Sequence, residues 1–181
     1  MSEFSFETIS EKDGSWQALC ADWKNQCEEA GECYEDYAPD SFGVLSKIAD
    51  GSLVHADGPG TVTAAATLKH VESGQYYLAC MLNLARLPRT DGMTLRVRHL
   101  LVSPSLDFGQ ASLKLYSQVL VHTLMGVVNT SESSMGANNI RFHLRSPNDA
   151  EFFAAVGAAL DGEKIFRSVE MKGSWLYITK V

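Results

Sequence analysis

A mixed α/β fold of the α+β kind, one sheet with helices on both faces, is what the sequence predicts, on three observations. Element signals run β, α, α, β, β, β, α, β, α, β, β, and strands and helices interleaved in this way pack as layers about a sheet. The run Gln75 to Leu87, QYYLACMLNLARL, is almost continuously apolar, as a strand covered on both faces must be. Helical segments elsewhere carry apolar stripes that need a surface to cover. The count is about seven strands and about four helices. The 181 residues are expected to form a single domain, 1–181, long enough to bury about two thirds of the surface of the unfolded chain.

Taking the elements in order, Glu3 to Ser10 alternates Phe4, Phe6 and Thr8 with polar residues and reads as a first strand. From Ser15 to Ala30, Trp16, Leu19, Cys20, Trp23 and Cys27 fall on one helical stripe. Ser41 to Ala49 is a second, short helix with Phe42, Leu45 and Ile48 on one side. The breaker cluster Asp57-Gly58-Pro59-Gly60 precedes two strands, Thr61 to Val71 and Gln75 to Leu87, joined as a hairpin at Glu72-Ser73-Gly74. A strand over 95 to 102 leads to a helix of about 112 to 128, and Asn129 to Asn138 reads as a polar loop. Ile140, Phe142 and Leu144 then alternate with Arg141, His143 and Arg145, a half-buried strand with a basic face. Ser146-Pro147-Asn148-Asp149 is a helix start, with a capping serine, a first-turn proline and an acidic residue three places on. Phe152, Phe153, Val156 and Leu160 form that helix's buried stripe and Gly162 stops it. Ile165 to Glu170 and Trp175 to Lys180 close the chain as a hairpin about Lys172-Gly173.

Composition narrows the class of partner. A net charge of −7 argues against a general nucleic-acid binder, which needs a basic surface. No apolar run approaches the roughly 20 residues of a membrane span, and the acidic N-terminus MSEFSFETISEKDG lacks a signal-peptide core, so a cytoplasmic location and no membrane partner are expected. Cys20, Cys27, Cys33 and Cys80 lack the paired spacing of a zinc or redox site and read as free, buried thiols, with no metal site.

Three features bear on chemistry. The stretch Leu95 to Ser112, LRVRHLLVSPSLDFGQAS, joins strand to helix through Pro104, Asp107 and Gly109. Free N–H groups and the helix dipole at such a junction suit an anion, although a glycine that merely turns the chain is the simpler account. Asp107 there is either a helix N-cap completed by Gln110 or a carboxylate facing a cavity. His99 is the one group on the strand with an unperturbed pKa near neutrality, and is either a core residue or a base. Finally, Glu28, Glu29, Glu32, Glu35, Asp36 and Asp40 put six carboxylates into thirteen residues without a Lys or Arg, which makes either a solvated helix end or a mouth for a cationic ligand.

The element order, together with LLVSPSLDFGQAS and SPNDAEFFAAVGA, resembles the GNAT superfamily of acyl-CoA-dependent N-acyltransferases. The resemblance implies a mostly antiparallel twisted sheet, acetyl-CoA or another acyl-CoA as cosubstrate, and a small-molecule amine as acceptor. It places cofactor contacts at Leu101, Val102, Leu106, Gly109, Gln110, Ala111 and Ser112, with Asn148 on the penultimate helix, and substrate contacts at Glu32, Glu35 and Asp36. His99 becomes the candidate catalytic base, a Leu101 or Val102 backbone N–H the donor to the thioester carbonyl, and Arg96, Arg98, Arg141, His143 and Arg145 a basic flank to the cofactor. The chain departs from the family pattern at Leu106, where Gln or Arg is usual, at Asp107 beside the pyrophosphate, and at Phe153, where a tyrosine often protonates the leaving thiolate. Residues 95 to 102 also contain no carboxylate. A non-catalytic GNAT-like binding domain is therefore the rival reading. A relative of the acyl-homoserine lactone synthases, prompted by LARLPRT, is a weaker one. The sequence leaves homodimerisation open.

Overall fold

The computed structural model describes residues 3–55, 58, 60–109, 111–160 and 166–181, which places Asp57, Pro59, Gln110, Gly162 and Ile165 outside the described residues. The chain runs β1 (Phe4–Ile9), α1 (Ser15–Ala30), a 3-10 turn (Tyr34–Asp36), α2 (Pro39–Ala49), β2 (Val62–His70), β3 (Tyr76–Ala85), β4 (Thr94–Val102), α3 (Pro104–Asp107), α4 (Leu113–Glu132), β5 (Asn139–His143), α5 (Pro147–Leu160), β6 (Phe166–Lys172) and β7 (Trp175–Lys180). Among the described residues the strands form one seven-stranded sheet in the order β1-β2-β3-β4-β5-β7-β6. Every neighbouring pair is antiparallel except β4 and β5.

Apolar patterning decides which helix covers which face. The α1 stripe of Trp16, Leu19, Trp23 and Cys27 packs with Leu45 and Ile48 of α2 on one side of the sheet. Val119, Leu120, Leu124 and Val127 of α4 and Phe153 of α5 cover the other. With both faces covered, β3 is buried at nearly every position, as its continuous apolar run requires. Gly126 allows α4 to approach β1, because a Cβ there would collide with the Phe6 side chain. No described helix is long and apolar enough to cross a membrane.

The structure corrects several expectations. The segment Asn129 to Glu132 continues α4 rather than forming a loop, because Thr130 and Ser131 hydroxyls donate back to the carbonyls of Gly126 and Val128 instead of competing for the backbone. Pro104 opens an extra single-turn helix, α3, as proline fits a first turn whose N–H would be unpaired in any case. Cys33 is exposed, whereas Cys27 and Cys80 are buried and Cys20 is partly so. Asp107 is no N-cap, since it ends α3 and the cap of α4 is Ser112, which accepts from the Leu115 N–H at 3.2 Å.

Candidate functional site

The site grows from a defect in β4. Ala79 of β3 faces Leu101 while Met81 faces Arg98, so β4 sets both His99 and Leu100 against Cys80. His99 absorbs this bulge with φ of 48°, a left-handed conformation that costs about 1 kcal/mol or more in a residue with a side chain. On its other edge β4 pairs with β5 only from Thr94–Val97 to Asn139–Phe142. The ladder ends there because Ser146-Pro147 turns the chain into α5: the Asp149 N–H donates to Ser146 Oγ (3.4 Å) and Ala150 N–H to Ser146 O (3.0 Å). The β4 edge after Val97 is left facing a cleft of about 380 Å³ lined by Leu101, Val102, Tyr37, Ser41, Arg145 and Asp149 among others.

Hydrogen bonds from α1 hold the β4 end in place. Gln26 accepts from the Ser105 N–H at 3.1 Å and donates to the Tyr76 carbonyl at 3.3 Å, and Trp23 donates to that carbonyl at 2.9 Å. The Tyr37 hydroxyl donates to the Val102 carbonyl. Two further cavities share lining residues with the cleft. One of about 580 Å³ lies between α3, the start of α4 and α5, with Leu106, Gly109, Ala111, Asn148, Glu151 and Phe152 in its walls. The other, of about 380 Å³, is lined by Glu32, Cys33, Asp36, Tyr37, Ala38 and Phe108. Asp107 lines all three, and Tyr116 lines the first two.

Electrostatically, the junction is acidic. Burial pushes the Asp107 carboxyl above its ordinary range. Burial also raises Asp149, the nearby Asp107 charge adds to the rise, and the hydroxyl of Tyr116, which donates to Asp149 Oδ1, opposes it. Tyr37 and Tyr116 are both held protonated, chiefly by burial. Arg145 supplies the countercharge in the cleft and donates to Ser41 Oγ at 3.2 Å.

The residues singled out from the sequence divide as follows. Leu106, Gly109, Ala111 and Asn148 share the large cavity, and Leu101 and Val102 line the adjoining cleft. Ser112 is the α4 cap. Gln110 lies outside the described residues. Glu32 and Asp36 share the third cavity, while Glu35 is not among its lining residues and accepts from the Cys33 thiol. His99 lies behind Ser41, with Nδ1 3.4 Å from Ser41 Oγ, and is held below its ordinary pKa by burial and then by Arg98, Arg145 and His143. The basic flank is split. Arg145 lines the cleft, but Arg141 lines a cavity at the opposite end of the sheet, Arg96 bonds Asn83, and His143 stacks on Trp175 with centroids 4.5 Å apart. Phe153 is fully buried and stacked on Phe142.

Tyr37, Ser41, Tyr116 and Asp149 were not legible as site residues. Tyr116 fits the α4 apolar stripe and Asp149 a helix cap, and nothing local links two positions 33 residues apart.

The turn after β4 departs from a phosphate cradle in its backbone as well. The N–H groups of Leu106 and Asp107 donate to Ser103 O, that of Phe108 to Pro104 O and that of Gly109 to Leu106 O. Among the described residues, the donors left for an anion are those opening the 20-residue α4 other than the Leu115 N–H, which Ser112 takes.

No protein-family model matches the chain, and neither does any curated protein. Solved structures do. A tyrosine-to-phenylalanine mutant of KacT superposes with a TM-score of 0.51 at 12% identity, covering 97% of this chain and 94% of that one. An AtaTR structure bound with AcCoA matches with a TM-score of 0.49 at 13% identity, over 99% and 94% of the two chains. An N-acetyltransferase from Staphylococcus aureus Mu50 matches with a TM-score of 0.48 at 10% identity, over 98% of each. With the sheet order and the parted β4–β5 pair, the likeness to KacT shows that the chain has the GNAT fold.

Proposed function

With the GNAT fold as its frame, we propose that this chain is an acyl-CoA-dependent N-acyltransferase acting on a cationic amine. The observation that carries the reading is the open edge of β4 after Val97, which faces a cleft that shares Asp107 with two further cavities. Acyl-CoA supplies an activated thioester. Leu101 or Val102 offers a backbone N–H to polarise its carbonyl, and the start of α4 with Gly109, Ala111, Ser112 and Asn148 forms the phosphate end. The fit is one of backbone and apolar wall: Asp107 and Glu151 line the large cavity and, among the described residues, no Arg or Lys does. Glu32 and Asp36 draw a cationic acceptor toward the junction. His99 reaches the cleft only through Ser41, so its part is tested by the pH–rate profile of His99→Ala, and an unchanged profile returns it to a structural role.

Calorimetric titration with acetyl-CoA, paired with thiol release in the presence of putrescine, glucosamine or glycinamide, tests the activity. Binding below millimolar with amine-dependent release is expected. Binding without turnover would instead favour a non-catalytic domain, a reading supported by the burial of Phe153 and the self-paired N–H groups of residues 106–109. No binding of any acyl-CoA would sink the transferase.

A further inference from the structure

Acyl transfer to an amine must take a proton from nitrogen and give one to sulfur, and the helix from which a tyrosine would serve carries the buried Phe153 instead. We propose that Tyr116 and Asp149 form a proton relay that performs both transfers. The proposal rests on the acyltransferase reading above.

The geometry that supports it joins two helices. Tyr116 lies in the first turn of α4 and Asp149 in the first turn of α5, and the Tyr116 hydroxyl donates to Asp149 Oδ1. Both line the cleft that Leu101 and Val102 line, and Tyr116 also borders the large cavity, so the pair stands where acyl group and acceptor would meet. Asp149 is 4% exposed and reaches the cleft beside the phenol. With its proton committed to Asp149, the Tyr116 oxygen presents acceptor capacity, which suits an N–H donor. The charged and titratable groups around the pair are Asp107 from α3, Asp40 from α2, Tyr37 from the preceding turn, Arg145 before α5, and Glu151 on α5. Burial and the Asp107 charge make Asp149 a more basic carboxylate than one in water.

The attacking nitrogen must enter as the neutral amine, its ammonium proton having gone to solvent; from there the proton count closes within the relay. As the N–C bond forms, Tyr116 Oη takes the nitrogen's excess proton while its own passes to Asp149 Oδ1. As the C–S bond breaks, both transfers reverse: Tyr116 delivers a proton to sulfur and Asp149 is a carboxylate again.

The test uses the full chain with acetyl-CoA and the three amines named above. Tyr116→Phe and Asp149→Asn should each slow turnover about 100-fold, within the range for a lost acid-base group. Acetyl-CoA affinity and melting temperature should be kept, and the double variant should be no slower than either single one, as for residues acting as a unit. An independent readout is carbon-13 NMR of the labelled Asp carboxyls. Asp149 should titrate above the ordinary range, and higher still in Tyr116→Phe, because a donated hydrogen bond that stabilises the carboxylate is gone. Turnover within threefold of wild type in folded Tyr116→Phe overturns the relay, and so does an Asp149 titration untouched by that substitution. Should Asp149→Asn fail to fold, Tyr116→Phe and the NMR titration decide alone. A wild-type chain that neither binds nor consumes acetyl-CoA overturns the acyltransferase reading itself and takes the relay with it, an outcome distinct from active variants.

Discussion

The two ends of the β4–β5 pair differ in pairing and in charge. At the start, Thr94 to Val97 zip against Asn139 to Phe142, and the adjoining cavity of about 490 Å³ is lined by Arg89, Arg141, Arg167 and Lys180 with Asp91. The Arg141 guanidinium sits 4.7 Å over the Tyr177 ring and donates to Thr90, while Lys180 Nζ donates to Ser131 O and Oγ at 3.0 Å each. At the far end the strands part, and the cleft between them carries Asp40, Asp107 and Asp149 against Arg145. The strand pair thus spends its hydrogen bonds and much of its positive charge at the closed end. The open end keeps β4 backbone unpaired with β5 and two carboxylates of raised basicity, Asp107 and Asp149, which suits proton transfer better than it suits phosphate.

Breaking the closed end should have the largest effect. Phe142, the last β5 residue in register with β4, is fully buried against Phe153, and Phe142→Ala should cost about 3–5 kcal/mol in urea unfolding. A loss under about 1 kcal/mol would deny that this end is a packed clamp. Asp107→Asn should tighten acetyl-CoA about fivefold in calorimetry, which corresponds to roughly 1 kcal/mol of repulsion removed at a partly buried site. Weaker binding would mean that Asp107 contributes to the cofactor site instead of opposing it. Smaller again, Glu32→Gln with Asp36→Gln should raise KM for putrescine about threefold at low salt, fading as salt is added. Glu35→Gln should leave KM alone, since Glu35 lies outside that cavity.

The smallest effect concerns pH. His99 is held below its ordinary pKa by burial first and by Arg98, Arg145 and His143 next, so just below about pH 6.5 the unfolded chain binds more protons than the folded one. Stability should therefore rise with pH across that window and be lost as pH falls through it. Melting temperatures from pH 5 to 7 should show a shallower fall in His99→Asn than in wild type, and parallel curves would remove His99 from the account.

Much of the fold was legible because it rests on local periodicity. The continuous apolar run of β3, the α1 stripe and the Ser146-Pro147 start each state their burial or boundary in adjacent residues. The α4 end was misread for a related reason: Ser and Thr mark loops in sequence, yet here their hydroxyls return to the helix's own carbonyls. The candidate site was legible only in part. Leu101, Val102, Leu106, Gly109, Ala111 and Asn148 do gather around adjoining cavities, whereas the arginines expected around them were divided between the sheet's two ends.

What the sequence determined by itself is the inventory of elements and the faces they bury, because hydrophobic periods of two and 3.6 residues are properties of neighbouring positions. The tertiary structure decided where β4 leaves β5, that Asp107 faces all three cavities instead of capping a helix, and that Tyr116 meets Asp149 across two helices. Each depends on contacts between segments tens of residues apart, and no local pattern encodes such contacts.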